Sequence, residues 1–349
     1  MNTLNTLVLG VGGSVSQGII TTIRLSKIPC RIIGACIASD SLGLYMCDKA
    51  FISPLASAND FIDWVANLCN EESVAMVFSG VEEIIYALET NRTAFEALTN
   101  AVFVSSSLPK LKIGGDKLLT AQWLKNNGLN YPLSVNYGDS LALNKLITKC
   151  GFPLICKPRR GKGAIGVIKL MLKKDLTLIP NKDYCIQQYL GDEKQEYTIG
   201  CYTDRKGILH ELIIMRRELK HGTTIIAEIV ENKAIKEECI KICNALKPKG
   251  PLNIQLRMHK GIPVCFELNV RFSGTTPIRA RFGYNAVQAM IQEYLFNEEV
   301  DKLLKPFSKG RAHRYFNEFY MDLDMFERLN KDKEVEDVNS FNNYQESKL

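Results

Sequence analysis

Between Val264 and Gly274 the chain reads VCFELNVRFSG, with Glu267, Asn269 and Arg271 at every second position. Alternate residues of a strand share a face. Phe266, Leu268, Val270 and Phe272 therefore fall on one side, and a carboxylate, an amide and a guanidinium on the other. Three such groups on one face are costly to desolvate without partners. Either they satisfy one another in a structural network or they face a charged ligand. Upstream, NIQLRM carries Gln255, and a turn near Lys260–Gly261 makes the two segments a hairpin, with Gln255 across from Glu267 to within one residue. Gln255, Glu267 and Asn269 are oxygen donors suited to a hard cation such as Mg²⁺, which is held by one or two carboxylates with phosphate oxygens and water. Arg271, one pleat further on, then reaches a phosphoryl group under transfer; a buried Arg–Glu pair is the competing structural explanation.

A second segment supplies cations for the same phosphates. In CKPRRGKGAIGV, Lys157 ends the apolar run FPLIC, and Arg159, Arg160 and Lys162 surround Gly161, Gly163 and Gly166. Glycines let a backbone close over phosphate oxygens while the cations offset their charge. No GK[ST] closes the loop, so it is not a Walker A motif. A solvated basic hairpin is the plainer alternative, but a lysine closing an apolar strand is expected to be partly buried and to need an anion. Near the N-terminus, LGVGGSVSQG follows a strand and opens a helix, a setting that suits an anion. Val15 stands where a dinucleotide fingerprint has its third glycine, so these glycines either touch a ligand or only allow a tight turn. In RRELKHGTT, Arg216 or Arg217 either binds a substrate carboxylate or pairs with Glu218.

The elements that must position these residues follow from pattern. Short apolar strands alternate with amphipathic helices over about residues 1–110, which predicts a parallel sheet with helices on both faces. Beyond it, helices at Asp116–Asn126 and Leu141–Cys150 precede strands around the basic loop, DYCIQQYLG, and two hairpins, one turning at DRKG. Glu82–Leu98, Ile235–Leu246 and Tyr284–Leu295 read as helices, and RAHRYFNEFYMDL as one more strand. From Lys331 the composition turns polar, which predicts a poorly ordered tail. The expected division is an α/β domain over 1–110, a second domain over 111–305 whose residues 116–187 form a lid, and an extension over 306–349.

Composition is that of a globular protein: 349 residues, 46% hydrophobic, 23% charged, net charge +6. The mild positive charge suits an anionic small molecule, and no Lys/Arg block suggests a nucleic-acid stripe. Eleven scattered cysteines form no CxxC pair and read as reduced thiols, and four dispersed histidines give no zinc spacing. The N-terminal residues lack a signal-peptide pattern and no apolar run is long enough to span a bilayer, so a cytoplasmic location with neither membrane nor nucleic-acid partner is expected.

In their order, GDK, FPLICKP, RRGKGAIGV, IQQYLG, QEYT, GPLNIQ and FELNVRFSG resemble the ATP-grasp superfamily, closest to its carbamoyl-phosphate-synthase large-subunit-like branch of carboxylate–amine ligases, over about residues 1–305. The resemblance implies a pre-ATP-grasp, Rossmann-like α/β domain followed by an α+β ATP-grasp domain with a mobile lid. It implies that Lys117 and Lys157 contact phosphates and that the loop Arg160–Gly166 closes over them. Gln188–Leu190 would read adenine and Glu196 the ribose hydroxyls. Gln255, Glu267 and Asn269 would hold Mg²⁺, with Mn²⁺ as a substitute, and Arg271 would stabilise the phosphoryl and acyl-phosphate oxygens. Gly12, Gly13 and Glu83 would lie near the acceptor. Two positions depart from the pattern: many members carry a carboxylate where Gln255 stands, and the hinge often carries Glu where Gln188 stands. A full carbamoyl phosphate synthase has two synthetase halves and an allosteric domain, so that enzyme is not expected here. The implied activity is an ATP-dependent ligase that activates a small carboxylate as an acyl phosphate and joins it to an amine. A nucleotide-binding regulatory protein on the same fold and a nicotinamide-dependent oxidoreductase are the rivals. Homodimers are common in the family, and nothing in the sequence demonstrates one.

Overall fold

The structure is a computed structural model that describes residues 3–161, 163–300, 303–315, 318–320 and 323–336. The chain divides into two compact units, one of Met1–Leu108, Arg271–Pro306 and Tyr315–Leu349, the other of Pro109–Val270 and Phe307–Arg314.

In the first unit, six strands among the described residues form one sheet, ordered Glu334–Glu336, Lys49–Ile52, Cys30–Cys36, Leu4–Leu9, Val74–Ser79, Val102–Phe103. Those from Lys49–Ile52 onward are mutually parallel, as the strand–helix alternation predicts. Leu7, Val8 and Leu9 of the central strand are fully buried, because helices cover both faces of such a sheet. The long helix expected over Glu82–Leu98 is two, Glu82–Thr90 and Arg92–Leu98, broken at Asn91. The turn after the first strand uses its glycines for close packing. A Cβ on Gly10 would lie 2.5 Å from Val81, and one on Gly12 would lie 3.0 Å from the Cys36 sulfur.

Two segments lie elsewhere than the expected division places them. Residues Arg271–Pro306 do not continue the second unit; their helices Thr276–Arg281 and Ala286–Phe296 belong to the first, where the Asn285 amide donates to Thr22 O at 3.3 Å. Within the tail expected to be poorly ordered, Lys331–Asp332 end the helix Leu323–Asp332. Glu334–Glu336 pair antiparallel with Lys49–Phe51, and Glu336 binds Arg31 at 2.9 Å and Lys49 at 3.2 Å. This polar segment is an edge strand with one buried side chain, Val335. Residues 337–349 lie outside the described residues.

The second unit holds two sheets. The smaller has the order Ser134–Asn136, Tyr184–Gln188, Leu154–Pro158, Ile168–Leu170, and packs on the helix Ser140–Cys150 around Leu143, Leu146, Leu154 and Ile186. The larger has the order Ile262–Asn269, Gly250–His259, Glu196–Thr203, Ile213–Lys220, Thr223–Ile229, Arg311–His313. Its edge strand accommodates Pro263, which cannot donate to an inner ladder. The hairpin turns at Lys260–Gly261, both at positive φ, so His259 faces Ile262. An unbroken ladder from that turn would put Phe266 across from Gln255. A bulge after Leu256–Cys265 adds one residue and brings Glu267 there instead. Phe266 is therefore not on the buried face with Leu268, as alternation predicts, but half-buried on the other side. All eleven cysteines are free thiols, and no described helix is long and apolar enough to cross a membrane.

Candidate functional site

Between the two sheets of the second unit lies a cavity of about 350 Å³. Ile155, Lys157, Lys169, Gln187 and Gln188 line it from the smaller sheet; Glu196, Arg217, Gln255, Arg257, Phe266 and Glu267 line it from the larger. The structure thus gathers Lys117, Lys157, Gly161, Gly163, Gln188, Leu190, Glu196, Gln255 and Glu267 around one space.

Lys157 is a buried cation on the cavity wall. It sits on the strand Leu154–Pro158, is 5% exposed, and makes no ion pair among the described residues. Its ammonium donates to Phe266 O at 3.4 Å and stands 5.4 Å from the Phe266 ring centre. Burial pushes it below the ordinary lysine range, and the neighbouring Lys117 adds to this, while Glu267 opposes it. Lys117, whose helix is capped by Asp116, donates to Gly161 O at 2.9 Å. Asp116 also holds Arg159 at 2.6 Å, so that arginine is a strut of the loop. Arg160 is exposed and off the cavity wall, Gly166 packs instead on Pro158 and Tyr184, and Lys162 lies outside the described residues. The loop rests on the turn between strands Ile213–Lys220 and Thr223–Ile229, where a Cβ on Gly222 would fall 2.0 Å from Gly163 O.

Opposite these cations runs a chain of polar contacts. Glu196 is 4% exposed; its Oε1 accepts from Arg217 Nη2 at 2.6 Å and its Oε2 from Arg257 Nη2 at 2.7 Å. Arg217 Nη2 also donates to Gln255 Oε1 at 2.6 Å, and Gln255 Nε2 to Glu267 Oε1 at 3.2 Å. Asn269 Nδ2 donates to the same oxygen at 3.1 Å. Glu196, expected to bind ribose, therefore has both oxygens on arginines. Gln255, expected to bind metal, has its oxygen on Arg217. Gln188 is engaged too, accepting from Leu133 N at 3.3 Å, and His259 Nδ1 lies 2.9 Å from Leu190 O. Arg271 is outside the cavity wall and belongs to the first unit, where Glu82 holds it at 2.7 Å.

Pattern reading missed Arg257 and Phe266 as wall residues; it offered Arg217 as a candidate for a substrate carboxylate. Neither arginine of RRELKHGTT pairs with Glu218: Arg216 binds Glu228 at 3.2 Å and Arg217 binds Glu196. Arg257 carried no local signal, since its partner is 61 residues away. Among the described residues no cluster of three or more His, Cys, Asp or Glu is arranged to hold a metal ion. The donors are instead one carboxylate, Glu267, with the Asn269 amide beside it. These fit a single hard cation that shares phosphate oxygens; Gln255, as oriented, does not. Burial pushes the Cys156 thiol, next to Lys157, up to about 12, so the site offers no thiolate there at neutral pH.

Residues 181–315 match the family described as ATP-grasp in the biosynthetic pathway with Ter operon. The chain is 25% identical over 259 residues to the carbamoyl phosphate synthase large chain of Caldanaerobacter subterraneus, covering 67% of this chain but only 22% of that protein. N5-carboxyaminoimidazole synthetase from Staphylococcus aureus, solved with ADP, superposes with a TM-score of 0.70 at 14% identity, over 95% of this chain and 87% of that one. Biotin carboxylase from Campylobacter jejuni gives 0.64 at 16%, over 89% and 74%. The ATP-grasp family match thus lies over residues 181–315, and the α/β unit with its paired antiparallel sheets gives the chain the fold of ATP-grasp enzyme structures, with distant similarity to the carbamoyl phosphate synthase large chain.

Proposed function

We propose that the chain is an ATP-dependent ligase that activates a small-molecule carboxylate as an acyl phosphate and joins it to an amine, releasing ADP and phosphate. One observation carries this reading: a single cavity sets the buried Lys157, without a counter-ion, against Glu267 with Asn269 beside it. A triphosphate with one divalent cation satisfies both sides. When bound, Mg²⁺–ATP would supply the phosphoryl group that turns one oxygen of an unreactive carboxylate into a phosphate leaving group, which an amine then displaces. Lys157 and Lys117 would hold phosphate oxygens and offset their charge. Glu267 and Asn269 would hold the metal. Ile155, Ile165, Val167, Leu219 and Phe266 give the cavity apolar wall for a base. The loop around Gly161 and Gly163 excludes water from the activated carboxylate. Arg271 is assigned the charge on the transferring group from its place in the FELNVR motif, a role that requires it to give up Glu82.

A second reading, a nucleotide-binding regulatory protein with weak catalysis, is favoured by Glu196, whose two oxygens are both taken by arginines. Phosphate release from ATP and Mg²⁺ with pools of amino acids, sugar acids and peptide acids separates the two. Carboxylate-dependent release supports the ligase. Intact nucleotide binding without it supports the regulator. Arg271→Ala is expected to lower turnover by about 100-fold or more with ATP affinity within a few-fold; undiminished turnover removes Arg271 from the mechanism.

A further inference from the structure

The amide of Gln255 stands where a carboxylate would be a better metal ligand, and the structure gives it other work. Its oxygen accepts from Arg217 at 2.6 Å while its nitrogen donates to Glu267 at 3.2 Å. The orientation follows from the partners: a guanidinium only donates and an ionised carboxylate only accepts, so flipping the amide breaks both bonds. Arg217 is held as firmly. It is 9% exposed, and its Nε and Nη2 reach Glu196 Oε1 at 3.0 and 2.6 Å. Pulling it away would leave Glu196 buried with half its charge partners. Of the Glu267–Asn269 pair, Glu267 Oε2 and Asn269 Oδ1 carry none of the hydrogen bonds among described residues.

Charge points the same way. Arg217, Glu196 and Arg257 are two cations around one anion, so the cluster presents one positive charge to the cavity it lines. Opposite a triphosphate, that fixed charge does part of what a second divalent ion does, while a lone carboxylate offsets only part of one such ion. We propose that Arg217 is a positioning residue that withdraws Gln255 from the metal site and stands as a built-in monovalent cation, so that this chain holds one divalent metal per nucleotide, on Glu267 and Asn269. The inference rests on the nucleotide reading of the cavity.

Mn²⁺ titration of the full chain with a non-hydrolysable ATP analogue, following the free-ion EPR signal, tests it without turnover. The expected count is one Mn²⁺ per analogue-bound chain. Gln255→Ala keeps that count while its Mn²⁺ affinity falls about tenfold, the cost of the lost hydrogen bond to Glu267. Gln255→Glu combined with Arg217→Met frees a second carboxylate and raises the count to two. Two Mn²⁺ on the unmodified chain, or a count that stays at one in Gln255→Glu combined with Arg217→Met, overturns the proposal while leaving the nucleotide reading intact. An analogue that does not bind the unmodified chain removes the nucleotide reading, and the proposal with it.

Discussion

Replacing Lys157 by Met is expected to make the chain more stable and unable to hold its nucleotide. The ammonium is 5% exposed, and its contacts are a carbonyl at 3.4 Å and an aromatic ring at 5.4 Å, with no anion. Burial depresses its pKa. Between that folded value and the ordinary one, the unfolded chain binds a proton that the folded chain does not. Stability therefore rises with pH across this window, and the cost of the buried charge is fully present below it. Met has similar reach and no charge. Replacing a buried ion pair by well-packed apolar residues is neutral to about 1–4 kcal/mol stabilising, and for this unpaired ammonium, with a carbonyl and a ring as contacts, we take about 1–2 kcal/mol. At about 2–4 °C per kcal/mol for a unit of this size, the melting temperature without ligand rises by about 2–8 °C. A nucleotide analogue at 100 times its Kd stabilises the unmodified chain by about 2.7 kcal/mol, and this increment disappears in the variant. Thermal unfolding of both proteins, with and without analogue and Mg²⁺, reads all four values. A variant that melts lower without ligand, or that keeps the ligand-induced rise, refutes the claim that Lys157 is a strained cation waiting for phosphate.

Three further outcomes follow from the same geometry. Phosphate at Lys157 restores its charged form, so nucleotide affinity measured against pH should fall as pH rises through the depressed Lys157 value, still below the ordinary lysine range, and Lys157→Met should show no such fall. Glu196→Gln leaves Arg217 and Arg257 facing each other and should cost about 3–5 kcal/mol in urea unfolding; a loss under about 1 kcal/mol would mean the cluster is not a stabilising ion network. Gly222→Ala puts a methyl group 2.0 Å from Gly163 O at a φ of +73°, and should lift the glycine loop off its seat, seen as faster trypsin cleavage between residues 159 and 166 with the rest of the chain intact.

Local pattern along the chain encodes several of these features. Strand–helix alternation specified the parallel sheet; an apolar run ending in lysine specified a buried cation; a two-residue turn and a polar comb specified a hairpin with Gln255 near Glu267. Each depends on periodicity or on a few adjacent residues, which the chain carries wherever it folds. Only the tertiary structure decided which polar groups answer one another. Glu196 meets Arg217 and Arg257 because its strand lies between theirs in the sheet, an order no single strand records. Arg271 meets Glu82 across 189 residues, and the helices after it return to the first unit. One bulge moved Glu267 opposite Gln255 and turned Phe266 into the cavity. The physical reason is common to all of these. Side-chain period is local, whereas strand order, register and ion pairing are set by whichever long-range packing leaves the fewest buried groups unsatisfied.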